Sequence, residues 1–591
     1  MFPIRRASPL LVLGTTAAIL FSACSGSTAT TSPAGSAAAS ASAAASVAAS
    51  PSPTAAFAPM TYPDPAKGAV TCASGSTAGS YNNLPYSGEF KQIKALDAKT
   101  VEFDLCAPDV AFLSKIAFDS FEINSAAYLA KAVPDGSIVQ KPNGAGPYMV
   151  KEWVKGDHIT LVANPNYYGD KPKVQTVVIK WSSEAAARLV DLQSGNVDGI
   201  DNVGPTDFTT VQNDSTLKLF PREGLNTLYL GMNHNDKPWD NAKVRQAIAM
   251  GIDRARIVKN FYPTGSTVAD YFTPCGIANG CVGDAWYGFD PAAAKKLLAD
   301  AGFPSGFSTT LSYRSVVRGY LPQPDVVAQE IQAQLKQNLN ITAKLDVQES
   351  TTFLDNSDAG KLTGLFLLGW GVDYPDQTDF VDYHFAGGTK TFGDLYPDLV
   401  TAIRAAAQGA SDDARKPLYV TVNNTIKQDV PMVPIAHGAN AVAFKADVDG
   451  AHASPLGDEE FAVMTPAGRD QLVFEQNGEP GGLYCADESD GESLRVCHNF
   501  GAALMNYKTA GATVVPGLAT ACTPNGDLTV WTCTLRDGLK FADGTPLDAN
   551  DVVTSFAVQW DAANPLHKGR TSDFSYFTGF FAAFLNAKPS S

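Results

Sequence analysis

Strand-like and helix-like patterns alternate along most of this 591-residue chain, and the alternation limits the folds it can adopt. Residues 100–105 place apolar side chains at every second position, as a half-buried strand does. Residues 241–259 and 325–338 place them at helical spacing, and an alternating strand follows at 341–347. Elements mixed in this way predict an α/β fold. Because the chain is too long for a single hydrophobic core, we expect two or more domains.

The first residues have the composition of an export signal. Two arginines precede a short apolar run at 9–21, and small residues lead up to Cys24. This order predicts a secretory signal over residues 1–23. The segment resembles the lipobox of bacterial lipoproteins, which implies a lipid on Cys24 and attachment to the outer face of the cell membrane. The alternative is a cleaved signal without a lipid.

The segment that follows has no capacity to form a core. Residues 24–57 are nearly all Ala, Ser, Thr, Pro and Gly, so we expect a disordered linker between the membrane and the folded part. No later stretch reaches the ~18 consecutive apolar residues that a membrane-spanning helix requires. The formal net charge of −16 argues against nucleic acid as a partner, because the chain would repel phosphates.

Nine cysteines fit an oxidising compartment, since eight remain for pairing if Cys24 carries a lipid. No pair has the C-x2-C spacing of a zinc site, and the seven histidines are scattered, so we expect neither a metal nor another cofactor. Proximity in sequence suggests four disulfides: Cys72–Cys106, Cys275–Cys281, Cys485–Cys497 and Cys522–Cys533.

Five short motifs carry a resemblance to a known family. Together they resemble the dipeptide- and oligopeptide-binding proteins of ABC importers, which form family 5 of the solute-binding proteins. The motifs are G-A-G-P-Y at 144–148, N-P-N-Y-Y-G at 164–169, V-R-Q-A-I at 244–248, D-V-P-M-V-P-I-A-H at 429–437 and L-R-D-G-L-K-F-A-D-G-T-P-L at 535–547.

The order of the matching segments is rotated. Residues 472–585 resemble the start of the family's mature chain, and residues 87–464 resemble its middle and end. The resemblance implies a circularly permuted periplasmic-binding-protein fold of type II (three-subdomain cluster C), with two α/β lobes and a hinge. Lobe I would combine residues 58–231 and 441–591, and lobe II would span 232–440. We expect residues 472–474 to form a strand in lobe I, and the tail near Asn586 to lie close to residues 71–92.

A peptide is a zwitterion, so its receptor needs a fixed carboxylate and a fixed cation. The segment G-W-G-V-D-Y-P-D at 369–376 resembles a family motif, and the resemblance implies that Asp373 binds the α-ammonium group, beside Trp370 and Tyr374. The segment beginning at Arg318 resembles the family's carboxylate-binding segment. A structural turn for Asp373 and a solvated side chain for Arg318, with Arg314 in its place, remain the alternatives.

Three further residues complete the predicted ligand site. Asn477 and Glu479 follow the first strand of the displaced segment and are expected to line the floor of the cleft. Tyr229 lies beside the expected hinge, although a tyrosine at such a position is more often part of the core.

These observations predict an extracytoplasmic receptor that binds peptides between two lobes and delivers them to the permease subunits of an ABC importer. We expect a monomer tethered by lipid. The alternatives are a signalling lipoprotein of the same fold, or a receptor for a nickel chelate, a sugar or haem. An enzyme is not expected, because the sequence contains no G-x-S-x-G, H-E-x-x-H or phosphate-binding-loop motif.

Overall fold

A computed structural model describes residues 57–74, 77–386, 389–394 and 396–587 of the chain. The predicted signal, the linker up to residue 56 and the predicted lipidation site Cys24 lie outside these residues. Within the described ranges, no helix combines the length and the apolar character needed to span a membrane. Helices and strands are mixed throughout, as the sequence patterns predict.

The strands are short, and most of them belong to three main sheets. In chain order they are β1 (Thr61–Tyr62), β2 (Gly79–Tyr81), β3 (Leu84–Tyr86), β4 (Phe90–Asp97), β5 (Thr100–Leu105), β6 (Tyr148–Val154), β7 (His158–Ala163), β8 (Thr176–Trp181), β9 (Gly199–Ile200), β10 (Leu217–Arg222), β11 (Asn226–Met232), β12 (Thr267–Val268), β13 (Ser308–Tyr313), β14 (Thr342–Val347), β15 (Leu365–Gly371), β16 (Met432–His437), β17 (Asn440–Lys445), β18 (Val448–Asp449), β19 (Thr465–Pro466), β20 (Gln471–Gln476), β21 (Met505–Tyr507), β22 (Val514–Pro516), β23 (Ala519–Pro524) and β24 (Val530–Leu535).

The α-helices lie between these strands. They are α1 (Phe112–Lys115), α2 (Ala126–Ala132), α3 (Ala185–Ser194), α4 (Phe208–Asn213), α5 (Ala242–Gly251), α6 (Arg254–Phe261), α7 (Pro291–Asp300), α8 (Pro324–Leu339), α9 (Ser350–Asp358), α10 (Gln377–Phe385), α11 (Pro397–Ala407), α12 (Asp412–Asp429), α13 (Gly491–Phe500), α14 (Ala549–Trp560) and α15 (Ser575–Phe581).

The single helix predicted over 241–259 is in fact two helices, α5 and α6. Ile252 has an extended backbone (φ −98°, ψ 119°), which ends α5. The side chain of Asp253 then accepts a hydrogen bond of 2.9 Å from the backbone N–H of Arg256 and caps the start of α6. The apolar spacing did not reveal this break, because both helices bury their apolar faces in the same core.

One sheet is formed by a continuous part of the chain. This six-stranded sheet has the order β12-β16-β11-β15-β13-β14. The buried residues of its core run from Leu225 to Ala436. Continuity in sequence and a separate core are the properties expected of an independent folding unit.

The other two main sheets combine distant parts of the chain. In the seven-stranded sheet, of order β10-β17-β9-β20-β8-β7-β6, strand β20 runs parallel to both of its neighbours, β8 and β9. In the five-stranded sheet, of order β1-β4-β5-β24-β23, strand β24 pairs with β5. The predicted strand at 472–474 is therefore confirmed, and the C-terminal segment completes both sheets.

The two ends of the described chain lie close together. The backbone N–H of Glu89 donates a hydrogen bond of 3.0 Å to the carbonyl of Phe581. Asp561 receives a hydrogen bond from the hydroxyl of Tyr62 and another, of 2.9 Å, from the side chain of Asn586. The expected proximity of the C-terminal tail to residues 71–92 is confirmed.

The chain crosses twice between the seven-stranded and the six-stranded sheets. The first crossing, at 223–225, joins β10 to β11, and the second, at 438–439, joins β16 to β17. The crossings touch each other, because the side chain of Asn226 exchanges hydrogen bonds of 2.7 and 2.8 Å with the backbone of Gly438. Two adjacent connections of this kind form a short, narrow joint between the sheets.

All four predicted disulfides are present. They are Cys72–Cys106, Cys275–Cys281, Cys485–Cys497 and Cys522–Cys533. The last pair joins facing residues of β23 and β24. The paired cysteines are 34, 6, 12 and 11 positions apart, and in every pair each cysteine is the nearest in sequence to the other, which is why proximity was sufficient to predict the pairing.

A closed ring of four charges lies in the interior beside the first crossing. Arg222, at the end of β10, binds Asp201 at 2.7 Å and Glu459 at 3.2 Å. Arg495 of α13 binds the other oxygens of the same carboxylates, at 2.9 and 3.0 Å. None of the four residues is more than 5% exposed. Because each charge has two opposite partners, the ring holds four separate segments together without leaving an unpaired buried charge.

Candidate functional site

The candidate ligand site lies at one edge of the six-stranded sheet. Strands β13 and β15 run parallel, so their carboxyl ends meet at the same edge. The segment containing Arg318 follows β13, and the segment containing Asp373 follows β15. Open α/β sheets present ligands at the carboxyl ends of their strands. The tertiary structure therefore brings the two predicted anchoring segments to one edge.

The two segments are in direct contact. A Cβ atom at Gly369 would lie only 2.4 Å from the ring of Tyr320, two residues after Arg318. Glycine is required at this position because any larger residue would push the aromatic ring away. The close approach keeps the Arg318 segment against the end of β15, where Trp370 and Asp373 lie.

Asp373 has one satisfied and one unsatisfied carboxylate oxygen. Its Oδ1 accepts a hydrogen bond of 3.1 Å from the hydroxyl of Tyr576, which lies on α15. Its Oδ2 is buried, and no donor among the described residues is within hydrogen-bonding geometry of it. A buried carboxylate oxygen without a donor is costly, so this atom is suited to a ligand donor.

A second carboxyl group adjoins Asp373. The side chain of Asp379 accepts hydrogen bonds from the backbone N–H of Asp373 at 3.0 Å and from the indole N–H of Trp370 at 3.2 Å. Trp370 also stacks on Tyr383, with ring centroids 4.3 Å apart. Trp370 thus positions Asp379, and its role as a wall of the ligand site stays a prediction.

Burial controls the protonation of this pair of carboxyls. It raises the pKa of Asp373 to about 7, although interactions with Tyr576 and Asp379 offset part of the increase. Burial and the neighbouring charge of Asp373 raise the pKa of Asp379 well above its usual range. Asp379 is only 2% exposed, and two adjacent carboxyl groups in such an environment resist losing both protons.

The second aspartate of the motif has a structural role. Asp376 accepts two hydrogen bonds of 2.6 Å from the guanidinium of Arg415. It also caps α10 by accepting a hydrogen bond of 2.9 Å from the backbone N–H of Thr378. The bidentate pair and the cap fix the loop that carries Asp373. No motif or spacing in the sequence indicated Arg415 as its partner.

Arg318 and Asn477 meet at a residue that the sequence analysis did not identify. The guanidinium of Arg318 lies 3.3 Å from the carboxylate of Glu492, in the first turn of α13. The amide of Asn477 donates to the same oxygen at 2.7 Å. The alternative residue, Arg314, is engaged elsewhere, since it donates to the hydroxyls of Ser350 and Tyr320.

Three predicted contacts require correction. Tyr229 is buried in the core of the six-stranded sheet, against Phe272, His384 and Phe392, so it does not face a ligand. The position of this residue in the middle of β11, with every side chain of the strand buried, explains the error.

Glu479 and Tyr374 are also committed to the protein. The carboxylate of Glu479 accepts hydrogen bonds from the indole N–H of Trp153 and the backbone N–H of Gly156, so it stabilises the β6–β7 hairpin. Tyr374 is buried, donates to the hydroxyl of Thr378 at 3.0 Å and packs against Phe580. The Oε1 of Glu479 and the hydroxyl of Tyr374 are thus both engaged within the protein.

One group of side chains has the composition of a metal site. Asp119, Asp458 and His498 place candidate ligand atoms within 4.8 Å of one another. Burial lowers the pKa of His498, but pairing with Asp119 and Asp458 outweighs burial and raises it to about 10. Within this cluster, the imidazole of His498 pairs with the carboxylate of Asp119 at 3.1 Å.

A family model described as bacterial extracellular solute-binding proteins, family 5 Middle, matches residues 48–392 and 513–579. The dipeptide-binding protein of Escherichia coli (strain K12) is 29% identical over 385 residues, which cover 63% of this chain and 70% of that protein. Heme-binding protein A of Haemophilus influenzae is 28% identical over 389 residues, covering 64% and 70%.

Solved structures have the same fold. HbpA2 from Haemophilus parasuis aligns with a TM-score of 0.53 and 27% identity, over 64% of this chain and 76% of that one. DppA from Helicobacter pylori, in complex with the peptide STSA, aligns with a TM-score of 0.57 and 24% identity, over 62% and 72%. At that lower identity the second match supports the fold alone.

Proposed function

Because the chain belongs to the bacterial extracellular solute-binding proteins of family 5, we propose that it is a receptor of an ABC importer that binds a peptide. The observation that carries the proposal is the buried, unsatisfied Oδ2 of Asp373. An α-ammonium group would supply both the missing hydrogen bond and a compensating charge. The peptide relatives support this choice, since proteins named for dipeptide binding align with the chain over most of their length.

A thermal-shift titration tests this proposal. The chain without residues 1–24 would first be freed of co-purified ligand by mild unfolding and refolding, and then titrated with pooled dipeptides to pentapeptides. A ligand that binds only the folded state raises the melting temperature as its concentration passes Kd. An increase is the expected result. No increase with any pool would refute peptide binding and direct the search to other solutes.

The proposed receptor has two lobes. Lobe II corresponds to the six-stranded sheet over residues 226–437, and lobe I to residues 57–222 with 440–587. These bounds are placed at the two crossings. Lobe II therefore begins slightly earlier than expected from the sequence, which placed the end of the first part of lobe I at 231. The narrow joint at the crossings would act as the hinge for closure over a ligand.

The same sheets support the proposal that the chain is circularly permuted. Strands β20 and β24 complete sheets begun hundreds of residues earlier, and the two ends of the described chain meet at Asp561. The family model also matches in two separate stretches. The permutation would join the family's original ends near residues 465–470 and open new ends elsewhere on the surface. Such a change costs little free energy, because closing a short surface loop loses little entropy.

A reordered chain tests the permutation. Residues 470–587 would be joined by a short Gly-Ser linker to residues 57–468, which restores the order of the family. We expect cooperative unfolding within about 1–2 kcal/mol of the original free energy, since every sheet contact is retained. Urea denaturation followed by tryptophan fluorescence measures this. A reordered chain that remains unfolded would contradict the proposal.

We further propose that Cys24 carries a lipid that holds the receptor at the outer face of the membrane, beside the permease subunits. The sequence around Cys24 and the Ala/Ser-rich linker support this location. Metabolic labelling with a fatty acid is the test, and the label should be absent from Cys24→Ser. Label retained by that variant would exclude the attachment site.

A further inference from the structure

The ion pair between Arg318 and Glu492 joins the two proposed lobes. Arg318 follows β13 of the six-stranded sheet, whereas Glu492 lies on α13, which packs with β6 of the seven-stranded sheet. Their charged groups are 3.3 Å apart, and the side chains are 28% and 9% exposed. A guanidinium at the edge of the ligand site thus already has a carboxylate partner from the opposite lobe.

Glu492 is held firmly on its own lobe. The amide of Asn477 donates to its carboxylate at 2.7 Å, and the side-chain amide of Gln476 donates to its backbone carbonyl at 3.3 Å. A position in the first turn of α13 also favours its negative charge. None of these contacts involves Arg318, so Glu492 has a fixed position that does not depend on it.

A second carboxylate adds to the negative charge around Arg318. Asp490 caps α13 by accepting hydrogen bonds of 2.8 and 2.7 Å from the backbone and hydroxyl of Ser493. Burial lowers the pKa of Arg318, but the charges of Glu492 and Asp490 contribute to an overall increase. A ligand carboxylate brought to Arg318 would therefore meet the fixed carboxylate of Glu492, and the charge of Asp490 would add to the repulsion.

At the opposite pole of the site, Asp373 accepts a hydrogen bond from Tyr576, but no cation among the described residues pairs with it. The Oδ2 of Asp373 remains without a donor among the described residues. The site thus offers an open position for a cation and a filled position for an anion. A ligand with an amine and no carboxylate near Arg318 would match this arrangement.

We propose that Glu492 determines specificity by occupying Arg318, so that the receptor selects amine-bearing peptides whose carboxyl end at this position is uncharged. Peptide amides, and longer peptides whose terminal carboxylate lies beyond Arg318, belong to this class. Dipeptides with a free carboxylate do not. The inference rests on the proposed peptide-binding function, and it names the ligand class of the same site.

Calorimetric titration with alanyl-alanine and alanyl-alanine amide tests the inference, because the two probes differ only in the charge of the carboxyl end. The ligand-stripped chain without residues 1–24 is expected to bind the amide at least about tenfold more tightly, because like charges held close together repel. Glu492→Gln should reduce this preference to below about twofold, since it removes the charge while an amide oxygen still accepts from Asn477.

If Glu492→Gln does not fold, a second variant still tests the inference, and a control variant shows whether the effect is specific to Glu492. Arg318→Met should increase the preference for the amide, because the carboxylate of Glu492 is then left without its cation. Glu479→Gln is the matched control: it makes the same chemical change on a carboxylate bound to Trp153, and the preference should not change.

The outcomes separate the two proposals. Tighter binding of the free acid, or a preference that is the same in Glu492→Gln as in the original chain, would overturn the inference and leave peptide binding intact. Binding of neither probe nor of any longer peptide amide would overturn the proposed function and the inference together.

Discussion

Replacing Asp373 with asparagine is expected to weaken peptide binding by about 100-fold at pH 7.5. The variant retains the shape of the side chain and removes the charge that we assign to the α-ammonium group. Losing one partner of a buried charge pair costs about 2–5 kcal/mol, and about 2.7 kcal/mol corresponds to 100-fold in Kd. Calorimetric titration with the tightest-binding peptide of the pooled screen measures the change. A Kd within threefold of the original would contradict the role of Asp373.

The pH dependence of binding gives an independent measure of the same residue. The pKa of Asp373 is about 7 because the carboxyl is buried. As the pH falls through 7, the carboxyl gains a proton, which an incoming ammonium group must displace. We expect Kd to rise about tenfold when the pH is lowered from 6.5 to 5.5. The α-ammonium remains charged over this range, so the slope reports the protein.

Two control variants support the interpretation. Asp373→Asn should lose the pH slope, because the titrating group is gone. Glu479→Gln should retain both the affinity and the slope, since Glu479 is bonded to Trp153 and Gly156 in the β6–β7 hairpin. A slope that persists in Asp373→Asn would assign the titration to another group.

Replacing Arg495 with methionine is expected to lower the free energy of unfolding by about 3–5 kcal/mol. The substitution leaves the buried carboxylates of Asp201 and Glu459 with Arg222 as their shared ionic partner. Removing one member of a buried charge network leaves an uncompensated charge in the interior, and a penalty of this size is typical. Urea denaturation followed by tryptophan fluorescence measures the loss as a lower midpoint.

The matched control is Arg256→Met, which removes an arginine from an exposed ion pair. Arg256 binds Glu330 at 2.9 Å, and its side chain is 53% exposed. Exposed pairs contribute about 1 kcal/mol or less, because water and salt screen the charges. Equal midpoints for the two variants would contradict a stabilising role for the buried ring.

Local patterns predicted much of the fold correctly. The strand at 100–105 and the helix at 325–338 were expected from their apolar spacing, and the structure confirms both elements within one residue at each end. All four disulfides followed from proximity in sequence. Such features depend on neighbours only a few turns or one short loop away. The break between α5 and α6 was missed, because the same core receives the apolar faces of both helices.

The residues of the ligand site also fall into two groups, those that a local motif indicates and those that only the folded structure reveals. Motif resemblance identified Asp373 and Arg318, and it brought Asn477 into the same site. It could not identify Tyr576 or Glu492, which lie 203 and 174 positions away from the residues they contact. Position along the chain, beside the expected hinge and after the first displaced strand, also suggested Tyr229 and Glu479, although each is bound within the protein.

The sequence by itself determined the α/β class, the family, the disulfides and the residue that we propose for the amine. Each of these depends on a local pattern or a short motif. The tertiary structure alone decided which polar groups are satisfied internally. Pairings such as Arg318 with Glu492, or Asp373 with Tyr576, depend on how the sheets pack against each other. Because burial and hydrogen-bond partners are properties of that packing, the charge left available to a ligand could be determined only from the folded chain.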